Sequence, residues 1–220
     1  MHAPRQKNKN LALFDFDGTL CQKDSFTGFI FYALSKRHIV KQGLKILPWI
    51  QAYYLNIYPA NSMRPKLFNA MFRNADAQEI RDLALEYAPS LLKHINQNIY
   101  KQFLCHKENN DDIVIVSASV DIYLIIISEI LDVELICTQT EVKHGKLTGS
   151  FSTPDCSCEQ KRIRILEKYN LDLYQNVYAY GNSKEDLEMC SLADFSYIVG
   201  RDKQLPKLHQ CEQLQDRSIA

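Results

Sequence analysis

The feature that most constrains this chain is an apolar strand that ends in two carboxylates, in the stretch LALFDFDGTL from Leu11 to Leu20. Residues two apart in an extended strand point in the same direction, so Asp15 and Asp17 can face one site. Two carboxylates this close repel each other unless a cation lies between them or one keeps its proton. The pattern favours a chemically active site, with a solvated Asp-Gly turn as the alternative.

Composition and charge describe an ordinary globular chain. Hydrophobic residues make up 46% of the 220 residues, and 26 lysines and arginines balance 26 aspartates and glutamates. Such a length accommodates one domain, or a domain with a substantial insertion. Because the net charge is zero, no global field attracts nucleic acid or an anionic membrane, and we expect no nucleic-acid partner.

Cysteine usage and the first residues predict a cytoplasmic location. The seven cysteines are odd in number and scattered, which favours a reducing compartment over a disulfide framework. Cys156 and Cys158 lack the two-residue spacer and the second ligand pair of a zinc site. Residues 1–10 are polar and basic without an apolar core, so they predict a frayed lead-in and not a secretory signal.

A long helical region follows the first strand. The next buried strand is predicted at residues 112–117, roughly a hundred residues on, which is too far for a simple crossover and indicates a structured insertion. Apolar spacing predicts a helix to about Lys36 that is capped by Asp24 or Ser25. A further helix is predicted to begin at Asn61 or Ser62. Another is predicted to follow the cap Asp76 and to be interrupted at Pro89, and the chain is predicted to continue as a helix over 91–106.

Residues 38–58 form an apolar segment that Pro48 divides. Lysine and glutamine side chains lie inside it, so it is not a membrane span, which needs about 20 predominantly apolar residues. Two interpretations stay open. The segment is a helical part of the insertion that packs on its neighbours, or it is an interfacial surface that meets a lipid substrate with the help of Lys36, Arg37, Lys41 and Lys45.

From residue 112 the pattern alternates between strands and helices. After the strand at 112–117, strands are predicted at 134–137, 176–180 and 195–199, and helices over about 120–131, 159–169 and 184–191. A hairpin is predicted with its turn at His144 and Gly145. The alternation predicts an α/β fold with a doubly wound, Rossmann-like parallel sheet, whose sites lie at the carboxyl ends of the strands.

Three further motifs fall at those strand ends. Ser117-Ala118-Ser119 follows the 112–117 strand and can bind phosphate oxygens through a hydroxyl and backbone amides. Lys161 lies in the first turn of a helix, where a lysine is usually a solvated surface charge. Gly181 to Asp186 forms a loop with oxygen ligands after another strand. Each motif alone is a weak signal.

Taken in order, these motifs resemble the four-motif pattern of the haloacid dehalogenase-like (HAD) hydrolase superfamily. The pattern consists of Asp15-Phe16-Asp17-Gly18-Thr19, Ser117, Lys161, and Gly181-Asn182-Ser183 with Asp186. The helical insertion resembles that superfamily's type 1 cap. The stretch from Gly145 to Phe151 is similar to the phosphoserine phosphatase-like branch (subfamily IB), and the loop at 154–158 with the apolar cap is similar to phosphatidylglycerophosphatase C and its relatives.

The resemblance implies a domain organisation and a Mg²⁺-dependent phosphomonoester hydrolase of small phosphorylated substrates. It implies an α/β core of residues 1–20 and 107–220, with an inserted all-helical cap of residues 21–106. Asp15 would be the nucleophile, Asp17 the general acid and base, and Lys161 the catalytic cation. The implied substrate-binding residues are Gly18, Thr19, Ser117, Ala118 and Lys161, and the implied Mg²⁺ ligands are Asp15, Asp17, Asn182 and Asp186.

One residue departs from the family pattern. Asn182 stands where the family usually has aspartate, so a full negative charge is missing and we expect weaker Mg²⁺ affinity. Two alternatives to a soluble-substrate phosphatase stay open: a membrane-peripheral lipid-phosphate phosphatase with residues 38–58 as its docking surface, and a catalytically weak phosphate-binding protein, suggested by Asn182. A nucleotide-binding P-loop is excluded, because Gly145-Lys146-Leu147 lacks the preceding glycine and the hydroxyl. Three cap cations that can contact a substrate anion, or can be surface charges, are Arg64, Lys66 and Arg73.

Overall fold

A computed structural model describes residues 9–208 of the chain. Most of the predicted lead-in over residues 1–10, and the last cysteine, Cys211, lie outside the described residues. The strands of the described part are β1 (Leu11–Phe14), β2 (Asp112–Val120), β3 (Glu134–Thr138), β4 (Thr140–Lys143), β5 (Lys146–Phe151), β6 (Val177–Gly181) and β7 (Phe195–Ile198). Five of them form a parallel sheet in the order β3-β2-β1-β6-β7, and β4 pairs with β5 alone.

The α-helices of residues 9–208 are α1 (Ser25–Ala33), α2 (Lys36–Lys45), α3 (Leu47–Tyr54), α4 (Ala60–Phe72), α5 (Ala77–Leu91), α6 (Gln97–Glu108), α7 (Asp121–Leu131), α8 (Glu159–Lys168) and α9 (Leu187–Cys190). The first six follow β1 without an intervening strand, and the last three alternate with strands. This confirms the predicted fold class, an α/β parallel sheet with a long helical insertion. No helix in the described part combines the length and hydropathy that crossing a bilayer requires.

The central strand β1 is buried on both faces, as parallel strands usually are. On one face, Phe14 stacks on Tyr180 with ring centroids 4.4 Å apart and meets Phe103 of α6 edge-on. On the other face, Leu13 packs in a cluster that includes Ile165 of α8. Helices on both sides therefore fix β1 in the middle of the sheet, and its carboxyl end emerges between those of β2 and β6.

Helix α6 packs against this sheet. Besides the Phe103 contact, His106 is fully buried and lies between the carboxylate of Asp111 at 2.7 Å and the hydroxyl of Tyr180 at 3.0 Å. The division into a core of residues 1–20 and 107–220 and a cap of residues 21–106 stays a prediction. Under that division, α1 and α6 both belong to the cap, and both contact strand β2 of the sheet.

The hairpin is confirmed, with His144 and Gly145 both at positive φ, as a two-residue turn between antiparallel strands requires. It lies against α4, where the ring of Phe151 is 5.1 Å from that of Phe68. The hairpin thus joins the inserted helices to the chain that leads to α8.

Five local predictions were wrong. Helix α1 ends at Ala33 and not at about Lys36, and α6 begins at Gln97 and not at residue 91. Helix α5 continues through Pro89 to Leu91, because a proline in the last turn removes a single backbone donor while the neighbouring Ala88 stays packed in the core. Helix α4 begins at Ala60 without a side-chain cap, and not at Asn61 or Ser62. Strand β2 runs on to Val120 through an irregularity after Ser117. The predicted caps Asp24 and Asp76 are confirmed by hydrogen bonds to the first turns of α1 and α5.

Candidate active site

The sequence-predicted residues meet at the carboxyl end of the sheet. They surround a cavity of about 640 Å³ that lies between the sheet and the inserted helices. The predicted residues that line it are Asp15, Asp17, Gly18, Ser117, Ala118, Lys161, Asn182 and Asp186. Thr19 is the exception. It is fully buried behind the cavity, and its hydroxyl donates a hydrogen bond to Oδ2 of Asp15 at 2.9 Å, so it orients that carboxylate.

Asp15 follows directly after β1 and is held at both oxygens. Its backbone amide donates to the carbonyl of Tyr180 at 2.9 Å, while Oδ1 accepts from Nζ of Lys161 at 2.6 Å. Burial raises the pKa of Asp15 to about 7, although the attraction of Lys161 opposes the shift. The carboxylate is therefore fixed in orientation and needs positive charge beside it to stay ionised at neutral pH.

Lys161 is not a surface charge. Only 1% of it is exposed, and its ammonium bridges Oδ1 of Asp15 and Oδ1 of Asp186, each at 2.6 Å. Burial lowers the pKa of Lys161, but the two carboxylates more than reverse that effect and hold it above its ordinary value. The site thus contains a permanently charged ammonium that is aimed at the nucleophile position.

Asp186 fixes the loop after β6. Its Oδ2 accepts from the backbone amides of Asn182 and Ser183 at 3.0 and 2.9 Å and from the Ser183 hydroxyl at 3.1 Å. Burial raises the pKa of Asp186, but Lys161 and these donors lower it below its ordinary value overall. Both oxygens of this carboxylate therefore have donors from the protein.

Asp17 is held by two hydrogen bonds from distant elements. Oδ1 accepts from the backbone amide of Ser25, at the start of α1, at 2.7 Å, and Oδ2 accepts from the hydroxyl of Ser119 at 2.5 Å. Burial raises the pKa of Asp17, and the bonds from Ser119 and Ser25 offset part of the rise. Ser119 belongs to the predicted motif at residues 117–119 but was not among the predicted site residues. The sequence signal that could have identified Ser119 as a site residue is its position at a strand end, two residues after Ser117.

Gly18 and Asn182 lie in direct contact. Gly18 has a φ of +76°, and a Cβ built there would lie 1.9 Å from Nδ2 of Asn182. A side chain at position 18 is therefore disfavoured twice, by the left-handed backbone and by the neighbouring amide. This contact brings Asn182 from the β6 loop to the turn that follows Asp17.

The donor set fits Mg²⁺. Among residues 9–208, no three histidine, cysteine, aspartate or glutamate side chains already surround one point. Mg²⁺ does not require such a cage, because it commonly binds through one or two carboxylates, substrate phosphate and water. Asp15, Asp17 and Asn182 line the cavity and can supply carboxylate, backbone carbonyl and amide oxygens, and burial raises the pKa of the Asp15 carboxyl, an effect that a bound cation would offset.

The three cap cations differ in their surroundings. Arg64 lines the cavity, but its guanidinium donates twice to Asp155, at 2.7 and 2.8 Å, and once to Glu185, at 3.0 Å. Lys66 lies 4.2 Å over the ring of Trp49, and Arg73 is exposed away from the cavity lining. Arg64 thus joins α4 to the two loops beside the site.

The part of the cavity wall that α1 to α4 supply is largely apolar. Side chains from α1 to α4 cover the space in front of Asp15 and Asp17, and they include Phe26, Ile30, Ile39, Ile50, Met63, Leu67 and Met71. The cavity therefore offers a charged floor at the sheet and an apolar wall on the inserted helices.

Comparison with known proteins agrees with this geometry. The sequence profile of haloacid dehalogenase-like hydrolases matches residues 12–191. The chain is 28% identical to protein CicA of Caulobacter vibrioides over 192 residues, which cover 84% of this chain and 83% of CicA. It is 24% identical to a histidinol-phosphatase of Neisseria meningitidis serogroup C over 216 residues, which cover 90% of this chain and 94% of that enzyme.

Solved structures of phosphoserine phosphatase share the fold. A substrate-bound complex is 18% identical with a TM-score of 0.60, covering 87% of this chain and 86% of that one. A phospho-aspartyl intermediate analogue is also 18% identical, with a TM-score of 0.55 and 87% coverage of each chain.

Proposed function

Because this chain belongs to the haloacid dehalogenase-like hydrolase family, we propose that it is a Mg²⁺-dependent phosphomonoesterase that works through an aspartyl-phosphate. The observation that carries the proposal is Lys161, a buried ammonium that bridges Asp15 and Asp186 beside a second aspartate, Asp17. Burial of an ammonium costs several kcal/mol unless charged partners offset that cost. In a solvated Asp-Gly turn, Asp15 would be in water and could not offset it. The histidinol-phosphatase relative supports the same reaction class.

Asp15 acts as the nucleophile in this proposal. A carboxylate oxygen of Asp15 attacks phosphorus, and the bond between phosphorus and the ester oxygen breaks. The Lys161 ammonium at 2.6 Å and the Thr19 hydroxyl at 2.9 Å keep the carboxylate in one orientation. Such positioning lowers the entropic cost of reaching a reactive geometry and so increases the rate.

Asp17 carries the proton in both steps. Its proton passes to the leaving alcohol oxygen in the first step, and its carboxylate then accepts a proton from the water that attacks the acyl-phosphate. A raised pKa suits a group that must begin as an acid. The Ser119 hydroxyl can donate to the ionised form and accept from the protonated form, so it serves both states.

The transferring phosphoryl group lies among Ser117, Ala118, Gly18 and the Lys161 ammonium in this proposal. Asp15, Asp17, Asn182 and Asp186 would hold Mg²⁺, Asp17 through its backbone carbonyl oxygen so that its carboxyl stays free for proton transfer, and Asp186 directly or through water. When bound there, the cation would neutralise charge that develops on the phosphoryl oxygens. The wall on the inserted helices selects among substrates by the shape of the group that carries the phosphate.

Turnover of p-nitrophenyl phosphate with and without Mg²⁺ tests the proposal. We expect Mg²⁺-dependent release of phosphate that Asp15→Asn abolishes, because the amide cannot form the acyl-phosphate. The matched control is Asp194→Asn, which removes a carboxylate that bonds the amide of Val177 outside the cavity lining. If the wild-type protein binds phosphate but turns over no phosphomonoester, the alternative of a catalytically weak binding protein, suggested by Asn182, replaces this proposal.

A further inference from the structure

The inserted segment from Ser25 to Ala75 has an unusual charge distribution. It contains no aspartate or glutamate, although the whole chain has equal numbers of acidic and basic residues. Its seven cations are Lys36, Arg37, Lys41, Lys45, Arg64, Lys66 and Arg73. The first four lie on α2 and are exposed, and no ion pair within residues 9–208 involves them. Their charge therefore faces solvent without a partner in the described part.

The same region exposes large apolar side chains. Half of the twenty exposed large apolar residues among residues 9–208 lie between residues 31 and 57, with Tyr54 at 78% and Ile57 at 74% exposure. The ten are Phe31, Tyr32, Val40, Leu44, Leu47, Trp49, Tyr53, Tyr54, Leu55 and Ile57. We name residues 31–57 the apolar-cationic face. Concentrated exposure of this kind marks an interaction site.

Helix α2 shows how the two features combine. Val40 and Leu44 lie one turn apart and are exposed, and Lys41 and Lys45 form the adjacent row of the helix. An apolar row beside a lysine row is the pattern of helices that lie in the interface of a membrane.

The cavity opens onto this face. Phe31, Tyr53 and Tyr54 line the cavity and are at the same time 64%, 39% and 78% exposed, so they form its outer rim. Ile39 and Ile50 line the same cavity as this rim and the aspartates. One cavity therefore contains both apolar residues of the exposed face and the charged residues at the sheet.

We propose that the apolar-cationic face docks on an anionic lipid surface, and that the cavity takes a phosphomonoester with an apolar chain from that surface. Unpaired cations match an anionic surface, and each basic residue close to it strengthens binding roughly fivefold. A second copy of this chain that binds through the same face fits less well, because its cations would lie opposite these cations. The part of the proposal that concerns the substrate rests on the proposed phosphatase function.

Vesicle flotation tests the docking. We expect the wild-type protein to bind vesicles of phosphatidylcholine mixed with phosphatidylglycerol, and not vesicles of phosphatidylcholine alone. Lys41→Glu combined with Leu44→Ser should weaken this binding at least roughly 30-fold, since it reverses a charge and removes an apolar contact. The matched control is Lys101→Glu combined with Leu104→Ser on α6, with the same residue types, spacing and exposure class outside the face. We expect this control to change binding by less than about threefold.

The outcomes separate the two proposals. Neither double variant touches the cavity lining, so both should keep wild-type turnover of p-nitrophenyl phosphate, which also shows that they are folded. Absent vesicle binding with intact turnover overturns the docking and leaves the phosphatase. Vesicle binding in the predicted pattern without any turnover supports the docking and overturns the phosphatase. If both double variants bind vesicles equally, the assigned face is wrong. It is also wrong if the protein self-associates and does not bind lipid, and if Lys41→Glu combined with Leu44→Ser abolishes that self-association.

A chain-length series tests the substrate class. For soluble monoalkyl phosphates, kcat/KM should rise about threefold to fourfold for each added methylene until the wall is covered. Ile39→Ser should reduce this slope, because Ile39 belongs to the apolar wall of the cavity that would contact the alkyl chain. A kcat/KM that does not depend on chain length overturns the substrate assignment.

Discussion

Replacing Lys161 with methionine removes the cation that two buried carboxylates share. Methionine retains most of the apolar stem, so the change isolates the charge. Lys161 is 1% exposed and Asp15 and Asp186 are 6% and 1% exposed, so solvent cannot replace the ammonium. Loss of one partner from a buried pair costs about 3–5 kcal/mol. That is a large part of a total free energy of unfolding of about 5–15 kcal/mol.

The loss should depend on pH in a defined direction. The pKa of Asp15 rises from an ordinary 3.8 to about 7 in the folded protein, so folding favours its protonated form and its contribution to stability falls as pH increases between those values. Without the ammonium, the pKa values of Asp15 and Asp186 rise further. We therefore expect the destabilisation of Lys161→Met to be larger at pH 8 than at pH 5, where a proton takes the place of the cation.

Urea unfolding in the presence of a chelator measures this effect at both pH values. Lys168→Met on the same helix is the matched control, because Lys168 is exposed and pairs with Glu134 at the surface. That control should change the free energy of unfolding by less than about 1 kcal/mol. A destabilisation of Lys161→Met below about 1 kcal/mol that is equal at pH 5 and pH 8 would refute the reasoning.

Three further predictions concern the neighbouring residues. Asn182→Asp should lower the Mg²⁺ concentration for half-maximal activity roughly tenfold, since it adds a charged ligand, and an unchanged requirement would contradict our account of Asn182. Gly18→Ala should lower the free energy of unfolding by about 1–2 kcal/mol because of the left-handed backbone, and by more because of the overlap with Asn182. Thermal unfolding measures this loss. Gly200→Ala, at a φ of +80° with nothing within 4 Å, should show the backbone cost alone. Ser119→Ala should raise the pKa of Asp17 and move the alkaline limb of the pH profile of kcat/KM to higher pH. If the limb does not move, Ser119 does not affect the proton transfer by Asp17.

Local signals predicted the parts of the site that adjacent residues determine. The apolar run before Asp15, its spacing to Asp17 and the strand ends near Ser117 and Gly181 each lie within a few residues. Parallel pairing then brings those ends together at one edge of the sheet. Their convergence therefore followed from the predicted topology.

Contacts between distant segments could not be predicted in this way. The sequence around Lys161 is that of a solvated helix, and its burial depends on carboxylates 146 and 25 residues away. The hydrogen bond from Ser119 to Asp17 spans 102 residues. Pro89 predicts a helix break, but the packing of α5 against the core overrides that local preference.

The contacts of Arg64 make any separation of α4 from the adjacent loops cooperative. Its three hydrogen bonds reach Asp155, which precedes α8, and Glu185, which follows β6, and all of them end on one guanidinium. They must therefore break together when α4 moves away. Such an opening would occur as one step and not as a gradual loosening. Because the guanidinium and Asp155 are largely buried, physiological salt would screen this junction only weakly.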